Sequence, residues 1–179
     1  MKKISVQRSG KNIIKITLPL REYDLCRLKA GEEVLLTGIV YTARDAAHQR
    51  MVKKMPLDIK GAVIYHTGPT PAKPGDVIGS CGPTTSARMD AYTPLLLQKG
   101  LKAVIGKGRL GDDTRKAFKK YQAVYFLAPG GCGALLADKI KQADVIAYKD
   151  LGCEAVYRLE IKEFPVIVGI DASGRSVYR

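Results

Sequence analysis

The sequence predicts one α/β domain spanning residues 1–179. Three observations carry that reading. The first half is rich in short apolar runs with strand character. The second half alternates such runs with helical stretches. Four turns, at 41–45, 82–86, 106–111 and 129–133, each follow a run read as a strand. Ligands bind at such strand ends in open α/β sheets.

Taken in order, 12–18 (NIIKITL) alternates weakly and reads as a strand. Gly31-Glu32 is a turn, and 33–42 (EVLLTGIVYT) is a strong strand. The stretch 43–55 has helical composition and ends at Pro56, because the residue before a proline avoids the helical region. A short buried strand is expected at 61–66. The segment 67–75 holds three prolines and reads as a loop, and 76–80 as a strand leading into Gly82. The stretch 85–99 reads as a helix kinked at Pro94, with Gly100 as its stop. Lys102 opens a strand to 105, and Asp112 or Asp113 caps a helix to 120. Strands are expected at 123–128, 144–148, 155–163 and 165–171, and a helix at 131–141.

Composition narrows the function classes. Apolar residues make up 46% of the chain, enough for a real core. No run of 18 apolar residues occurs, so no membrane-spanning helix is expected. Residues 1–5 (MKKIS) are basic without an apolar stretch behind them, so no signal peptide is expected. The net charge is +13. The cations are spread along the chain, and three Phe with no Trp offer little base stacking. A basic module for nucleic acid or an acidic protein is therefore the rival from another class. The cysteines occur singly, at 26, 81, 132 and 153, and no CxxC pair forms with the two histidines to suggest metal ligation. Reduced thiols in a cytoplasmic protein are expected.

The chemistry-bearing residues lie in the turns. Gly82 to Asp90 reads Gly-Pro-Thr-Thr-Ser-Ala-Arg-Met-Asp. Thr84 and Thr85 are expected where backbone N–H groups and the helix dipole face outward, with Arg88 on the side of Thr84. Together with Arg44 and Lys107, which sits between Gly106 and Gly108, they suit a small dicarboxylate. The bland alternatives are an N-capping threonine, surface arginines and a turn lysine. His48, four residues after Arg44, is a candidate relay or an ordinary packed histidine. Asp45 reads as a helix N-terminal acid. Gly130 to Gly133 lacks the spacing of a nucleotide cradle and reads as tight packing.

Thr42-Ala43-Arg44-Asp45-Ala46-Ala47-His48, Gly82 to Asp90, Gly106-Lys107-Gly108, Pro129-Gly130-Gly131 and Asp150-Leu151-Gly152-Cys153-Glu154-Ala155 follow one another in an order and spacing that resemble the β subunit of the iron–sulfur fumarate hydratases. In single-chain members this region is the C-terminal domain. The likeness runs from about Leu18 to Tyr178. The L-tartrate dehydratase β subunit shares the framework. The resemblance implies a swivelling β/β/α domain, a mixed sheet with flanking helices. It implies an α subunit carrying a [4Fe–4S] cluster, an α2β2 assembly, and no cofactor on this chain alone. Carried over by motif, Thr84 looks like the group that takes the C3 proton of malate, with Thr85 the alternative. Arg88, Lys107 and Arg44 look like the contacts to the substrate carboxylates. Arg109-Leu110 departs from the pattern, where many relatives carry a glycine and a methionine.

Overall fold

A computed structural model describes residues 6–9 and 13–178. The expectation about residues 1–5 and the start of the first strand at Asn12 lie outside the described residues. The elements in chain order are β1 (Val6–Ser9), β2 (Ile13–Thr17), α1 (Glu22–Arg27), β3 (Glu33–Thr42), α2 (Asp45–Met51), β4 (Val63–Tyr65), α3 (Thr93–Gln98), β5 (Ala103–Gly106), α4 (Asp112–Lys120), β6 (Val124–Leu127), α5 (Gly133–Ala137), β7 (Ile140–Ala147) and β8 (Val156–Ile170). Two 3-10 segments, Ser86–Met89 and Lys149–Glu154, complete the inventory of described helical segments.

Strands β3 to β6 run parallel in sequence order. β8 is antiparallel to both β3 and β6 and closes these five strands into a barrel-like sheet. β2 adds in parallel to the first half of β3, β1 pairs antiparallel with β2, and β7 pairs with the first half of β8. This mixed sheet with flanking helices fits a swivelling β/β/α domain.

The short parallel strands are buried on both faces, which is why they read as unbroken apolar runs. Val63, Tyr65, Ala103, Ile105, Val124 and Phe126 point to one core with Leu36, Phe164 and Val168. Ile64, Val104 and Tyr125 point to the other, under α2, α3 and α4 through Met51, Leu96 and Phe118. The Tyr65 hydroxyl donates to the Cys81 carbonyl at 2.7 Å, and its ring meets Phe164 edge-on at 5.4 Å. Replacing the fully buried Phe164 with Ala is expected to cost about 3–5 kcal/mol, read from the urea midpoint.

Several expectations are corrected. The run 76–80 is a bend without a sheet partner. Thr70 donates its backbone N–H to Ser80 (3.0 Å), so loop pairing replaces a ladder, although Ile78 still reaches the core. The stretch 85–99 is not one kinked helix. Pro94 falls in the first turn of α3, where a proline is favoured, and the chain before it makes a separate 3-10 turn. The helix over 43–55 shortens to α2. The helix over 131–141 shortens to α5, because β7 begins at Ile140. Gly111, not Asp112 or Asp113, is the N-cap of α4, and both acids sit in its first turn. The two strands expected over 155–171 are one. Pro165 is tolerated because it pairs with Leu35 on one side, while β7 has ended and β6 has not begun on the other.

Candidate functional site

The candidate site forms where β3, β4 and β5 end. Residues 81–86 are drawn into the gap between the last two. Thr84 donates its backbone N–H to the His66 carbonyl at 2.7 Å and accepts from Lys107 N–H at 3.3 Å, and Ser86 N–H donates to the Lys107 carbonyl at 2.9 Å. Thr67 holds the same loop through its hydroxyl, which donates to the Gly82 carbonyl at 2.7 Å. Gly106 makes this approach possible: a Cβ there would lie 1.9 Å from Ser86 Oγ. Thus the glycine before Lys107 admits Ser86 rather than a ligand. The N–H groups of Thr84 and Ser86 are spent on backbone carbonyls, so neither waits for an oxyanion.

The side chains of this loop do converge. Arg88, in the 3-10 turn, donates from Nη2 to Thr84 Oγ1. The same Nη2 lies 3.6 Å from Asp45 Oδ2. Arg44, the N-cap residue of α2, has its Nε 3.9 Å from that oxygen and its Nη2 3.3 Å from Glu154 Oε1. Arg44 and Glu154 are about one-quarter exposed at the side chain, and Arg88 is nearly half exposed. Lys107 is exposed and runs past Gly130. No carboxylate among the described residues pairs with it. Thr85, whose backbone bridges to Lys107, is exposed and makes no side-chain cap.

His48 is placed differently from the rest. It is fully buried, and its Nδ1 donates to the Arg44 carbonyl at 2.8 Å. That bond fixes the Nδ1–H tautomer of the neutral ring and the backbone that carries Arg44. The ring stands edge-on to His66 at 5.2 Å and stacks on Tyr92 at 5.9 Å. His66 is also fully buried, and its Nδ1 lies 3.0 Å from Ser86 Oγ. Burial lowers the pKa of both rings. The effect is stronger for His66, where the His48 charge adds to it; for His48 the Arg44 carbonyl and Asp45 oppose it.

Both rings are therefore neutral in the fold, and they protonate in the unfolded chain below about pH 6.5. The unfolded state then binds more protons, so their contribution to stability is complete above pH 6.5 and is lost as pH falls. The chain is expected to lose stability as pH falls below about 6.5, by at most about 1.4 kcal/mol per pH unit for each histidine. Urea midpoints at pH 7.5 and 5.5 measure the loss, and a His66→Gln chain is expected to show a smaller one.

Sequence reasoning missed His66, Ser86 and Glu154. His66 had a usable signal, since it ends the run Gly61 to His66 at the edge where sites form. Ser86 and Glu154 lie inside the motifs Gly82 to Asp90 and Asp150 to Ala155, but nothing local marked either as a support for the site. Gly130 to Gly133 behaves as a packing turn: Cys81 N–H donates to the Gly133 carbonyl at 3.0 Å, and a Cβ on Gly133 would lie 2.3 Å from Ser80 Oγ. Among the described residues, no helix is long and apolar enough to cross a membrane.

Chemically, the arrangement offers a hydroxyl under a guanidinium, a second guanidinium and an unpaired ammonium. A cation bonded to a hydroxyl favours its ionised form. Guanidinium and ammonium groups bind carboxylates.

Comparison with known proteins gives the family. The family model described as "Fumarase C-terminus" matches residues 2–179. A Methanocaldococcus jannaschii protein named "Putative L(+)-tartrate dehydratase subunit beta" is 42% identical over 171 residues, covering 89% of this chain and 88% of its own. The L(+)-tartrate dehydratase subunit beta of Escherichia coli K12 is 35% identical over 170 residues, covering 90% and 85%. A Geobacillus stearothermophilus protein named "Putative fumarate hydratase class I" is 35% identical over 176 residues. That match covers 95% of this chain and 34% of the longer protein.

Proposed function

Because the chain belongs to the fumarase C-terminus family, we propose that it is the β subunit of a heteromeric hydro-lyase that interconverts fumarate and L-malate. One observation carries this reading: the Thr84 hydroxyl sits under Arg88, in a site that also presents Arg44 and Lys107. The proton next to a carboxylate is very weakly acidic. Its removal needs a base and fixed positive charge aimed at the oxygens that gain charge.

Arg44 and Lys107 bind and orient the two substrate carboxylates. Arg88 serves one carboxylate and also favours ionisation of the Thr84 hydroxyl. Thr84 Oγ1 takes the C3 proton in dehydration and returns it in hydration. Thr85, exposed and without a cation bonded to its hydroxyl, is the weaker candidate for this step. His48 is not given the relay in this scheme: it is fully buried, and its Nδ1–H is held by the Arg44 carbonyl. Its role is to hold the backbone of that arginine.

The remaining chemistry belongs to the partner. We place a [4Fe–4S] cluster on an α subunit, in keeping with cysteines that occur singly along this chain. When bound, such a cluster supplies a Lewis acid for the C2 hydroxyl. The subunit names of the two-chain relatives support a heteromer, which we take to be α2β2 in the cytoplasm.

L-Tartrate dehydration is the second reading. The relatives matched over most of their own length carry that name, which favours it. An anaerobic pull-down of the tagged chain from its host tests both. Copurification of an iron-containing partner, with fumarate absorbance rising on L-malate, is the expected result. Activity on L-tartrate and none on L-malate would replace the substrate. A chain that binds no partner and instead binds random DNA in a salt-dependent way would overturn the proposal.

A further inference from the structure

We infer that Glu154 is a positioning residue for Arg44, and that Asp45 couples Arg44 to Arg88, so that two guanidiniums are held together against their mutual repulsion. The inference rests on the proposed dicarboxylate site and extends it to two carboxylates outside the substrate contacts.

The geometry is a continuous chain of charges. Glu154 Oε1 is 3.3 Å from Arg44 Nη2. Asp45 Oδ2 is 3.9 Å from Arg44 Nε and 3.6 Å from Arg88 Nη2. Arg88 donates to Thr84 Oγ1. The far end of this chain is fixed. Glu154 Oε2 accepts the Ala46 N–H at 2.9 Å, so one carboxylate grips both the arginine and the first turn of its helix. The segment Lys149–Glu154 is tied at its other end, where Arg50 donates to Asp150 at 2.8 and 2.6 Å. Gly68 leaves room for the Arg44 side chain beside the Cys153 carbonyl. A Cβ on Gly68 would lie 2.9 Å from Arg44 Cδ and 3.0 Å from the Cys153 carbonyl.

The Arg44–Glu154 pair is partly buried and is screened less than a surface pair. A guanidinium already fixed in its binding pose loses less freedom when substrate arrives. The expected signature is therefore in substrate binding. The two acids also offset the charge of both arginines, so Lys107 is the cation of the site left to draw the dianion in.

Glu154→Gln tests this in the assembled enzyme, because glutamine still accepts the Ala46 N–H but drops the charge. KM for L-malate, or for whichever dicarboxylate the wild type turns over, is expected to rise about 10-fold or more, with kcat within about 3-fold. Asp45→Asn is expected to act in the same direction, and the double variant to be less than additive. Unchanged KM in both single variants would overturn the inference, as would an equal fall in kcat with KM fixed. A second readout does not depend on turnover. In the full chain, the Arg44 Nε–H signal in ¹⁵N NMR is expected to exchange faster with water in Glu154→Gln than in wild type. Equal exchange would overturn the positioning role. A wild-type assembly inactive on both dicarboxylates would overturn the hydro-lyase reading and leave the NMR comparison to decide the role of Glu154.

Discussion

Replacing Thr84 with Ala is expected to lower kcat by about 10²- to 10⁴-fold while KM changes by less than about 3-fold. The hydroxyl accepts from Arg88, and its own backbone is stitched to His66 and Lys107. Removing Oγ1 deletes the proposed proton acceptor and leaves the loop in place. The proposed contacts of Arg44, Arg88 and Lys107 to the substrate carboxylates remain. Thr84→Ser restores the hydroxyl and is expected to recover most of the rate. A Thr84→Ala enzyme with wild-type kcat would move the base elsewhere, with Thr85→Ala the next variant to assay.

Arg88→Met is expected to be of comparable severity, lowering kcat/KM by about 10³-fold. Two charge-assisted interactions are lost together, the proposed one to the substrate and the one to Thr84. At about 1.5–3 kcal/mol each, they account for a factor of that size. The arginine is nearly half exposed at its side chain, so its loss leaves the core intact. Copurification of the variant with the partner at wild-type yield, together with an unchanged urea midpoint, separates a site defect from a folding defect. Arg88→Lys keeps the charge but not the fork, and is expected to fall between the two.

The parts of the fold that sequence patterns revealed are those whose burial is local and two-sided. β4 to β6 read as apolar runs because both of their faces are covered. β8 read as two strands because Pro165 normally marks a break, and only the staggered ends of β6 and β7 make it tolerable. The helix over 85–99 failed for a related reason. Composition does not reveal that the segment Ser86–Met89 is a 3-10 turn that gives way to a turn at 90–92 before Pro94 helps to open a new helix. α1 was missed because it is six residues long and, apart from Asp24, buries only Leu25.

The site follows the same division. Arg44, Thr84, Arg88 and Lys107 were legible as turn residues after strands, and the structure brings the first three into one network with Lys107 on the adjoining backbone. Their supports were not legible. His66 and Ser86 are 20 residues apart, and Ala46 and Glu154 are 108 apart. Such pairs exist only once strand order and register are set. His48 was legible as a candidate relay or a packed histidine from its spacing to Arg44, and the structure buries it with Nδ1 on the Arg44 carbonyl.

The most direct test of the account is hydration of fumarate in D₂O by the assembled enzyme, followed by NMR at C3 of the malate formed. Wild type is predicted to place one deuterium at C3 with a single stereochemistry, and the Thr84→Ala enzyme to show none above background in the same time. Deuterium delivered by Thr84→Ala at the wild-type rate would contradict the claim that this chain supplies the proton-transferring group.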